Sequence, residues 1–364
     1  MGARLRRIDH AVLLGGAVLL AASAAALAQT VEPAALDRLV NEAMRAQQIP
    51  AVTVAMARSD RLLYSRAFGS ADLENAVAAT TETLIRSASI AKSITAVAAM
   101  TLVEAGRLDL DAPVQKYCAP FPPKQWPIST RELLSHTSGI RHYNPGEPES
   151  TRHFRYLADG FTLFAADPLL FPPGSAYQYS TYGYSVAGCA IEGASGASFR
   201  DYVAEHVLRP AGMTHTRVDD VFEIVPHRAR GYQMLDGAVR NAALMDSSYK
   251  IPGGGYVTTA EDLVRFGQAL LDGKLLKEQT LTQMWTPSAQ SGPDSYGLGF
   301  QVREGGRFIM HSGGQAGTST RLLLIPQAQF SLAILANVND VPLDDLERAL
   351  VLAMQLPFPA AVKH

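Results

Sequence analysis

The order of apolar patterns along the chain predicts an α/β fold, in which an antiparallel sheet is flanked by N- and C-terminal helices and a mostly helical part is inserted. A helical pattern and two alternating runs come first, helical patterns fill the middle, and short alternating runs with a last helical pattern end the chain. We therefore expect residues 29–84 plus 246–364 to build one α/β domain around a mainly helical domain, residues 85–245. A cleft between the two is the expected place for a site.

The first elements are a helix and a hairpin. Residues 35–47 place their apolar side chains on one stripe and their charges opposite, which predicts a helix that packs on a sheet. Residues 51–57 and 62–69 then alternate like two strands around the turn 58–61, which predicts a hairpin.

Cap and turn signals divide the middle of the chain. Ser129-Thr-Arg-Glu132 matches a capping box and starts a short helix that ends near Ser135. An apolar helix follows the tyrosine-rich run 177–184 and extends through Ile191. Gly253-Gly-Gly255 lacks the strand and the lysine of a phosphate-binding loop, so close backbone packing is expected there.

The C-terminal third predicts the rest of the sheet. Thr259 to Asp262 begins an amphipathic helix that runs towards Gly273. Short alternating runs joined by tight turns then suit an antiparallel sheet, and a last helix near 343–354 would close over it. The alternating runs are residues 297–302, 307–311, 320–325 and 330–336.

The stretch 86–100 contains the strongest chemical signal. Ser89 and Lys92 lie three residues apart on a predicted helix and therefore share a face. No side chain in 93–103 is charged, so we expect the helix to be buried, and burial favours a neutral lysine that can take the serine proton. A Ser-x-x-Lys spacing arises by chance about once in a chain of this length. The motif therefore needs support from the rest of the chain.

The first 28 residues predict a secretory signal peptide. Arg4, Arg6 and Arg7 precede an apolar run that begins at Ala11 and ends in Ala26-Leu-Ala28. Cleavage after Ala28 would leave a periplasmic or secreted protein without a stable membrane span. The alternative is an uncleaved membrane anchor, because the run approaches the length of a spanning helix.

The charge balance argues against nucleic acid as a partner. The chain has 32 Lys and Arg against 34 Asp and Glu. Removal of residues 1–28 takes away three arginines and one aspartate, which leaves 29 basic and 33 acidic residues and a formal charge of −4. No basic excess exists to neutralise phosphates.

Only two cysteines occur, Cys118 in a proline-rich loop and Cys189 in an apolar helical pattern. An exported protein can pair them, but we expect Cys189 to be buried and free. No spacing of cysteine, histidine or carboxylate predicts a metal site, and no cofactor is expected.

Three residue groups, Ser89-Ile-Ala-Lys92, Tyr179-Ser-Thr181 and His311-Ser-Gly313, stand in the order of a known motif set. They resemble the active-site motifs of the penicillin-binding and serine β-lactamase superfamily, in its class C and D-alanyl-D-alanine peptidase branch. The resemblance implies a β-lactamase/transpeptidase-like fold from about Ala35 to the C-terminal region. Segments 133–143, 179–184, 246–250, 253–255 and 284–287 are most similar to the mitochondrial β-lactamase-like members, which are regarded as proteases.

The resemblance also implies roles for individual residues. Ser89 would attack a carbonyl and form an acyl-enzyme, while Lys92 and Tyr179 handle the proton; which of them is the base stays open. His311 would hold a substrate carboxylate or shuttle a proton, with a structural histidine as the alternative. The backbone N–H groups of Ser89 and Gly314 would form the oxyanion hole. Thr181, Ser312 and Gly313 are expected to bind substrate, and His136 and His142 to be structural.

Two departures from the motif set bear on the substrate. Thr181 stands where the branch usually has asparagine, and His311 replaces the lysine of true β-lactamases, which argues against efficient antibiotic hydrolysis. The charged insertion of the mitochondrial members after Tyr143 is absent, so assembly behaviour tied to it is not implied. We therefore expect an exported serine hydrolase acting on a peptide or small molecule through a peptide, amide or ester bond. The alternatives are a weak β-lactamase and a penicillin-recognising or scaffolding protein with little turnover; the oligomeric state stays open.

Overall fold

The computed structural model describes residues 32–288 and 295–358, and its centre is an antiparallel sheet of seven strands in the order β3-β2-β1-β12-β11-β10-β9. The predicted signal peptide and most of the loop 288–295 lie outside the described residues. The strands are β1 (Ala51–Arg58), β2 (Arg61–Asp72), β3 (Val77–Ala78), β4 (Ile85–Arg86), β5 (Arg217–Val218), β6 (Tyr232–Leu235), β7 (Ala238–Asn241), β8 (Tyr256–Thr258), β9 (Gln301–Arg303), β10 (Phe308–Gln315), β11 (Thr318–Ile325) and β12 (Phe330–Ala336).

The helices follow the predicted order of elements. Helices α1 and α9 come from the two ends of the described chain, and α2 to α5 come from the middle. The helices are α1 (Pro33–Gln47), α2 (Ala91–Glu104), α3 (Thr130–Leu134), α4 (Thr181–Ser195), α5 (Phe199–Val203), α6 (Ile251–Gly254), α7 (Ala260–Leu271), α8 (Glu278–Met284) and α9 (Asp344–Ala353).

The two ends of the described chain meet in the sheet, because β1 pairs with both β2 and β12. Side chains of β1 alternate between two cores. Val52 and Val54 pack in the core that includes residues of α1 and α9, whereas Ala55 packs in the core that includes residues of α7. Helices therefore cover both faces of the sheet, which confirms the predicted α/β class with an antiparallel sheet.

The hairpin between β1 and β2 turns within the predicted segment 58–61, but Arg58 and Arg61 belong to the strands, so the turn has only two residues. Ser59 and Asp60 both have positive φ angles, 48° and 63°. This conformation matches the twist of the flanking strands. Arg58 and Arg61 therefore pair directly across the turn.

One predicted strand is mostly a turn. Residues 297–302 were expected to be extended, but the strand β9 covers only Gln301–Arg303. The N–H of Gly297 donates to the carbonyl of Phe300, and the N–H of Leu298 donates to the carbonyl of Met284. The first hydrogen bond makes the segment a turn, and the second attaches it to the end of α8.

The expectation of a free Cys189 was wrong, because Cys118 and Cys189 form a disulfide with a Cα–Cα distance of 5.3 Å. Both cysteines are buried. The bond joins α4 to the proline-rich loop across 71 residues of sequence. That proximity follows from how α4 packs on the loop, which no local pattern could show.

The predicted close packing at Gly253 is present. A Cβ atom on Gly253 would lie 2.5 Å from the Thr181 Cγ2 atom, so no larger residue fits without a shift of α6 or α4. In residues 32–288 and 295–358 no helix combines the length and apolar character needed to cross a bilayer.

Candidate active site

The nucleophile candidate lies on a tight turn at the start of α2. A 3₁₀ turn, Ala88–Ile90, precedes α2, and Ala88 has a positive φ of 46°. A non-glycine residue in this region is strained, and such strain is common at functional sites. Ser89 is partly exposed, while its neighbours Ala88 and Ile90 are buried. The turn therefore presents the Ser89 side chain to the cleft.

Lys92 is hydrogen-bonded to Ser89 and completely buried. Its Nζ atom lies 3.1 Å from the Ser89 Oγ atom and donates to the carbonyl of Gly253 at 2.7 Å. The side chain has no exposed surface. Burial, and then the positive charge of Lys250, holds the pKa of Lys92 well below its ordinary value of 10.5. A neutral amine beside the hydroxyl is the arrangement that a general base requires.

Tyr179 completes this group from the segment before α4. The Lys92 Nζ atom lies 4.8 Å from the centroid of the Tyr179 ring. Burial raises the pKa of Tyr179 above its ordinary value of 10, and a hydrogen bond with Ser89 partly counteracts the rise. The phenol therefore stays protonated near neutral pH. Since the ammonium form of Lys92 is disfavoured as well, these pKa shifts favour Lys92 over Tyr179 as the base.

Two histidines hold the start of α4 and therefore the position of Tyr179. The Nδ1 atom of His136 accepts the N–H of Ser180 at 3.1 Å, and the Nδ1 atom of His142 accepts the N–H of Thr181 at 3.2 Å. These N–H groups have no partner within the helix. The His136 ring also packs 4.2 Å from the Tyr179 ring, measured between centroids. Both contacts fit the expected structural roles.

Strand β10 passes directly beside the nucleophile turn. Strand β9 pairs with β10 only at Phe308–Met310, so the edge of β10 beyond this point is not covered by β9. A Cβ atom on Gly313 would lie 2.8 Å from the Ser87 carbonyl oxygen, which explains the need for glycine. Gly314 follows at the surface of the cleft that contains Ser89. The fold therefore brings the backbone of β10 against the nucleophile turn, with Gly314 in the lining of the cleft.

His311 has a different environment from the one expected of a carboxylate-binding residue. Its Nδ1 atom donates to the carbonyl of Ser312 at 2.6 Å, so its Nε2 atom accepts from the Tyr296 hydroxyl at 2.9 Å. The ring is 3% exposed, and burial followed by the charge of Lys92 lowers its pKa to about 3. His311 is thus neutral, has both nitrogens occupied by protein atoms, and does not line the cleft. This placement fits the alternative in which His311 has a structural role and does not contact substrate.

The cleft has a volume of about 390 Å³. Ser89, Tyr179, Thr181 and Gly314 line it, as the sequence predicted, whereas Ser312 and Gly313 do not. A larger cavity of about 740 Å³ adjoins it and shares Ala243 with it, but that cavity does not include the Ser89 group. We therefore place the candidate site in the smaller cleft. Cleft residues that the sequence did not predict to have a role include Lys250, Glu149 and Asn339.

Known proteins similar to this chain include β-lactamase-like and penicillin-binding proteins. The family model described as Beta-lactamase matches residues 36–355. The human mitochondrial serine beta-lactamase-like protein LACTB is 29% identical over 378 residues, which cover 76% of this chain and 69% of that protein. The putative penicillin-binding protein PbpX of Bacillus subtilis (strain 168) is 31% identical, covering 70% of this chain and 62% of that protein. The solved penicillin-binding protein from Bacillus halodurans is 26% identical with a TM-score of 0.73, covering 85% of this chain and 98% of that chain.

Proposed function

The chain belongs to the Beta-lactamase family of serine hydrolases, and we propose that it forms an acyl-enzyme at Ser89 and hydrolyses peptide, amide or ester bonds. The observation that supports this most directly is the 3.1 Å contact between the Ser89 Oγ atom and the buried Lys92 amine. Tyr179 lies against the same amine. A nucleophile and a neutral base in contact are the minimum that acyl transfer needs.

In the proposed acylation step Lys92 takes the Ser89 proton while the Oγ atom attacks the substrate carbonyl carbon. In the proposed next step the bond from that carbon to the leaving group breaks, and Tyr179 passes a proton to the leaving atom and regains one from Lys92. Water repeats the attack on the acyl-enzyme and releases the acid. The neutral forms of Lys92 and Tyr179 in the resting site are the ones that this sequence of steps requires.

The negative charge on the carbonyl oxygen would be held by the backbone N–H groups of Ser89 and Gly314. The close approach of β10 to the nucleophile turn supports this assignment. Loss of one such donor typically costs about 2.7–4 kcal/mol in the barrier. Thr181 lines the cleft beside Tyr179 and is the proposed contact for substrate polar groups. In this proposal Gly313 and Ser312 do not contact substrate directly. Gly313 allows β10 to approach the nucleophile turn closely, and the carbonyl of Ser312 accepts a hydrogen bond that orients the His311 ring.

We further propose that the protein is exported and resembles the class C branch. The pattern of residues 1–28 supports export, with a periplasmic or secreted product. The disulfide between Cys118 and Cys189 supports it independently, because such bonds persist mainly in oxidising compartments.

A penicillin-recognising protein with little turnover is the second candidate. It is favoured by the 31% identity to a putative penicillin-binding protein. A penicillin would acylate Ser89 in both cases, but only the hydrolase releases product continuously. A burst equal to the enzyme concentration, followed by no steady rate, would support the second candidate.

The test is a substrate panel on the purified protein beginning at Gln29. The panel contains p-nitrophenyl esters, D- and L-aminoacyl anilides and nitrocefin, each assayed with wild type and with Ser89→Ala. We expect continuous hydrolysis of at least one ester or anilide, abolished by Ser89→Ala, and weak or absent hydrolysis of nitrocefin. Equal rates for wild type and Ser89→Ala on every substrate would contradict the proposal.

A further inference from the structure

Lys250 is a buried lysine in the candidate cleft that the proposed reaction does not use. It ends the 3₁₀ turn Ser248–Lys250, directly before α6, and is 2% exposed. Its side chain lines the same cleft as Ser89. Its charge is close enough to lower the pKa of both Lys92 and His142. Lys250 is therefore near the reacting group without being part of it.

The partners of the Lys250 amine leave most of its hydrogen-bonding capacity unused. The Nζ atom donates to the carbonyl of Pro148 at 3.3 Å and lies 5.3 Å from the ring centroids of Tyr143 and Tyr249. Within the described part of the chain, no carboxylate forms an ion pair with it. An ammonium group has three donors. By contrast, the half-buried Lys124 donates to two carbonyls at 2.5 and 2.7 Å.

The other charged groups around Lys250 do not offset the cost of burying its positive charge. Glu149 lines the same cleft and favours the charged lysine, but its side chain is exposed to solvent. Arg86 acts in the opposite direction. Burial is the largest effect, and together with Arg86 it lowers the pKa of Lys250 to about 7. A buried cation with so few partners is stabilised when an anion enters the site.

We propose that Lys250 binds a carboxylate of the substrate, so that the acyl compounds preferred by this cleft carry a negative charge close to the scissile carbonyl. The inference rests on the proposed function, because it names the substrate class of the same site. His311 does not supply this contact, since it is neutral and lies outside the cleft lining. The Tyr143 ring, which lines the cleft beside Lys250, would hold the apolar part of such a substrate.

A pair of esters with acyl chains of equal length, one ending in a carboxylate and the other in a methyl group, tests the preference. The p-nitrophenyl monoester of succinic acid carries the carboxylate, and p-nitrophenyl butyrate is its neutral counterpart. We expect Lys250→Met to lower kcat/KM for the succinate ester about 10- to 100-fold more than for the butyrate ester, as expected for loss of one charge-assisted hydrogen bond. Lys250→Arg should restore part of the preference. Lys116→Met, at an exposed lysine outside the cleft, is the matched control and should leave both rates unchanged.

A binding measurement separates this inference from the proposed reaction. In the Ser89→Ala background, calorimetric titration with glutarate should show saturable binding that is lost when Lys250→Met is added. If no substrate of the panel reacts with wild type but glutarate binds through Lys250, the proposed reaction is wrong and the anion site stands.

Two results would overturn the inference. Equal losses for both esters in Lys250→Met would show that Lys250 acts on the chemistry through Lys92. Unchanged glutarate binding in the double variant would show that the carboxylate does not contact Lys250. Far-ultraviolet circular dichroism establishes that each variant is folded; if Lys250→Met is not, Lys250→Gln replaces it in both measurements.

Discussion

The Nζ atom of Lys92 lies 3.1 Å from the Oγ atom of Ser89 and is fully enclosed by protein. A buried ammonium without a carboxylate partner is costly, so the amine loses its proton more readily than in water. The sequence places these two residues one helical turn apart. The fold buries Lys92 away from water, which lowers its pKa and leaves a neutral amine that can act as a base on Ser89.

Lys92 and Tyr179 are expected to act as one unit. Lys92→Ala and Tyr179→Phe should each lower the acylation rate about 10²- to 10⁴-fold, the typical contribution of a general acid or base. Because both groups contact Ser89, the double variant should lose less than the product of the single losses. Stopped-flow acylation by a p-nitrophenyl ester measures all four proteins. Multiplicative losses would show that the two groups act independently.

His136 is expected to position Tyr179 without touching substrate. His136→Ala removes the acceptor for the Ser180 N–H and the ring that packs on Tyr179. We expect kcat to fall about tenfold with little change in KM, because a small misplacement of a catalytic group affects the chemical step most. His136→Asn keeps an acceptor at the Nδ1 position and should recover part of the rate. A KM increase of the same size, without recovery in His136→Asn, would argue for a substrate contact.

The buried His311 should make the fold sensitive to acid. Its pKa is about 3 in the folded protein, against 6.5 for an unperturbed histidine. As pH falls below 6.5 the unfolded chain binds a proton that the folded protein does not, so stability falls with pH down to about 3. At pH 5 the loss from this group is about 2 kcal/mol. Urea unfolding at pH 7 and pH 5 should show a smaller difference for His311→Asn than for wild type; identical differences would contradict the burial argument.

The disulfide is expected to stabilise the helical part of the protein. It closes a loop of 71 residues, for which chain entropy gives a contribution of about 4 kcal/mol. Reduction with dithiothreitol, or the double replacement Cys118→Ala with Cys189→Ala, should lower the free energy of unfolding by a similar amount. Chemical denaturation under oxidising and reducing conditions measures it. If reduction leaves the unfolding midpoint unchanged, the bond does not form in the protein.

Much of the fold follows from local patterns. The stripe of α1, the alternation of β1 and β2 and the capping box at Ser129 are properties of adjacent residues, and the structure contains all of them. The Ser89 and Lys92 pair was also visible, because one helical turn fixes their relation. The predicted division into residues 29–84 plus 246–364 and residues 85–245 stays a proposal.

The features that the sequence missed depend on contacts between distant segments. Cys118 meets Cys189 only after α4 packs on the proline-rich loop. His311 faces Tyr296, which belongs to none of the three motifs, so the motif alone could not show that its ring nitrogens are occupied. Lys250 belongs to a segment already noted for its resemblance, but its burial in the cleft depends on Tyr143 and Pro148 from another part of the chain.

The most direct test of the account is to locate the residue that a serine-reactive probe modifies. The purified protein is incubated with a fluorophosphonate, digested and sequenced by mass spectrometry, with Ser89→Ala in parallel. The account predicts one adduct, on the Ser89 oxygen, and no labelling of the folded variant. An adduct on another residue, or labelling of Ser89→Ala at the wild-type rate, would contradict it.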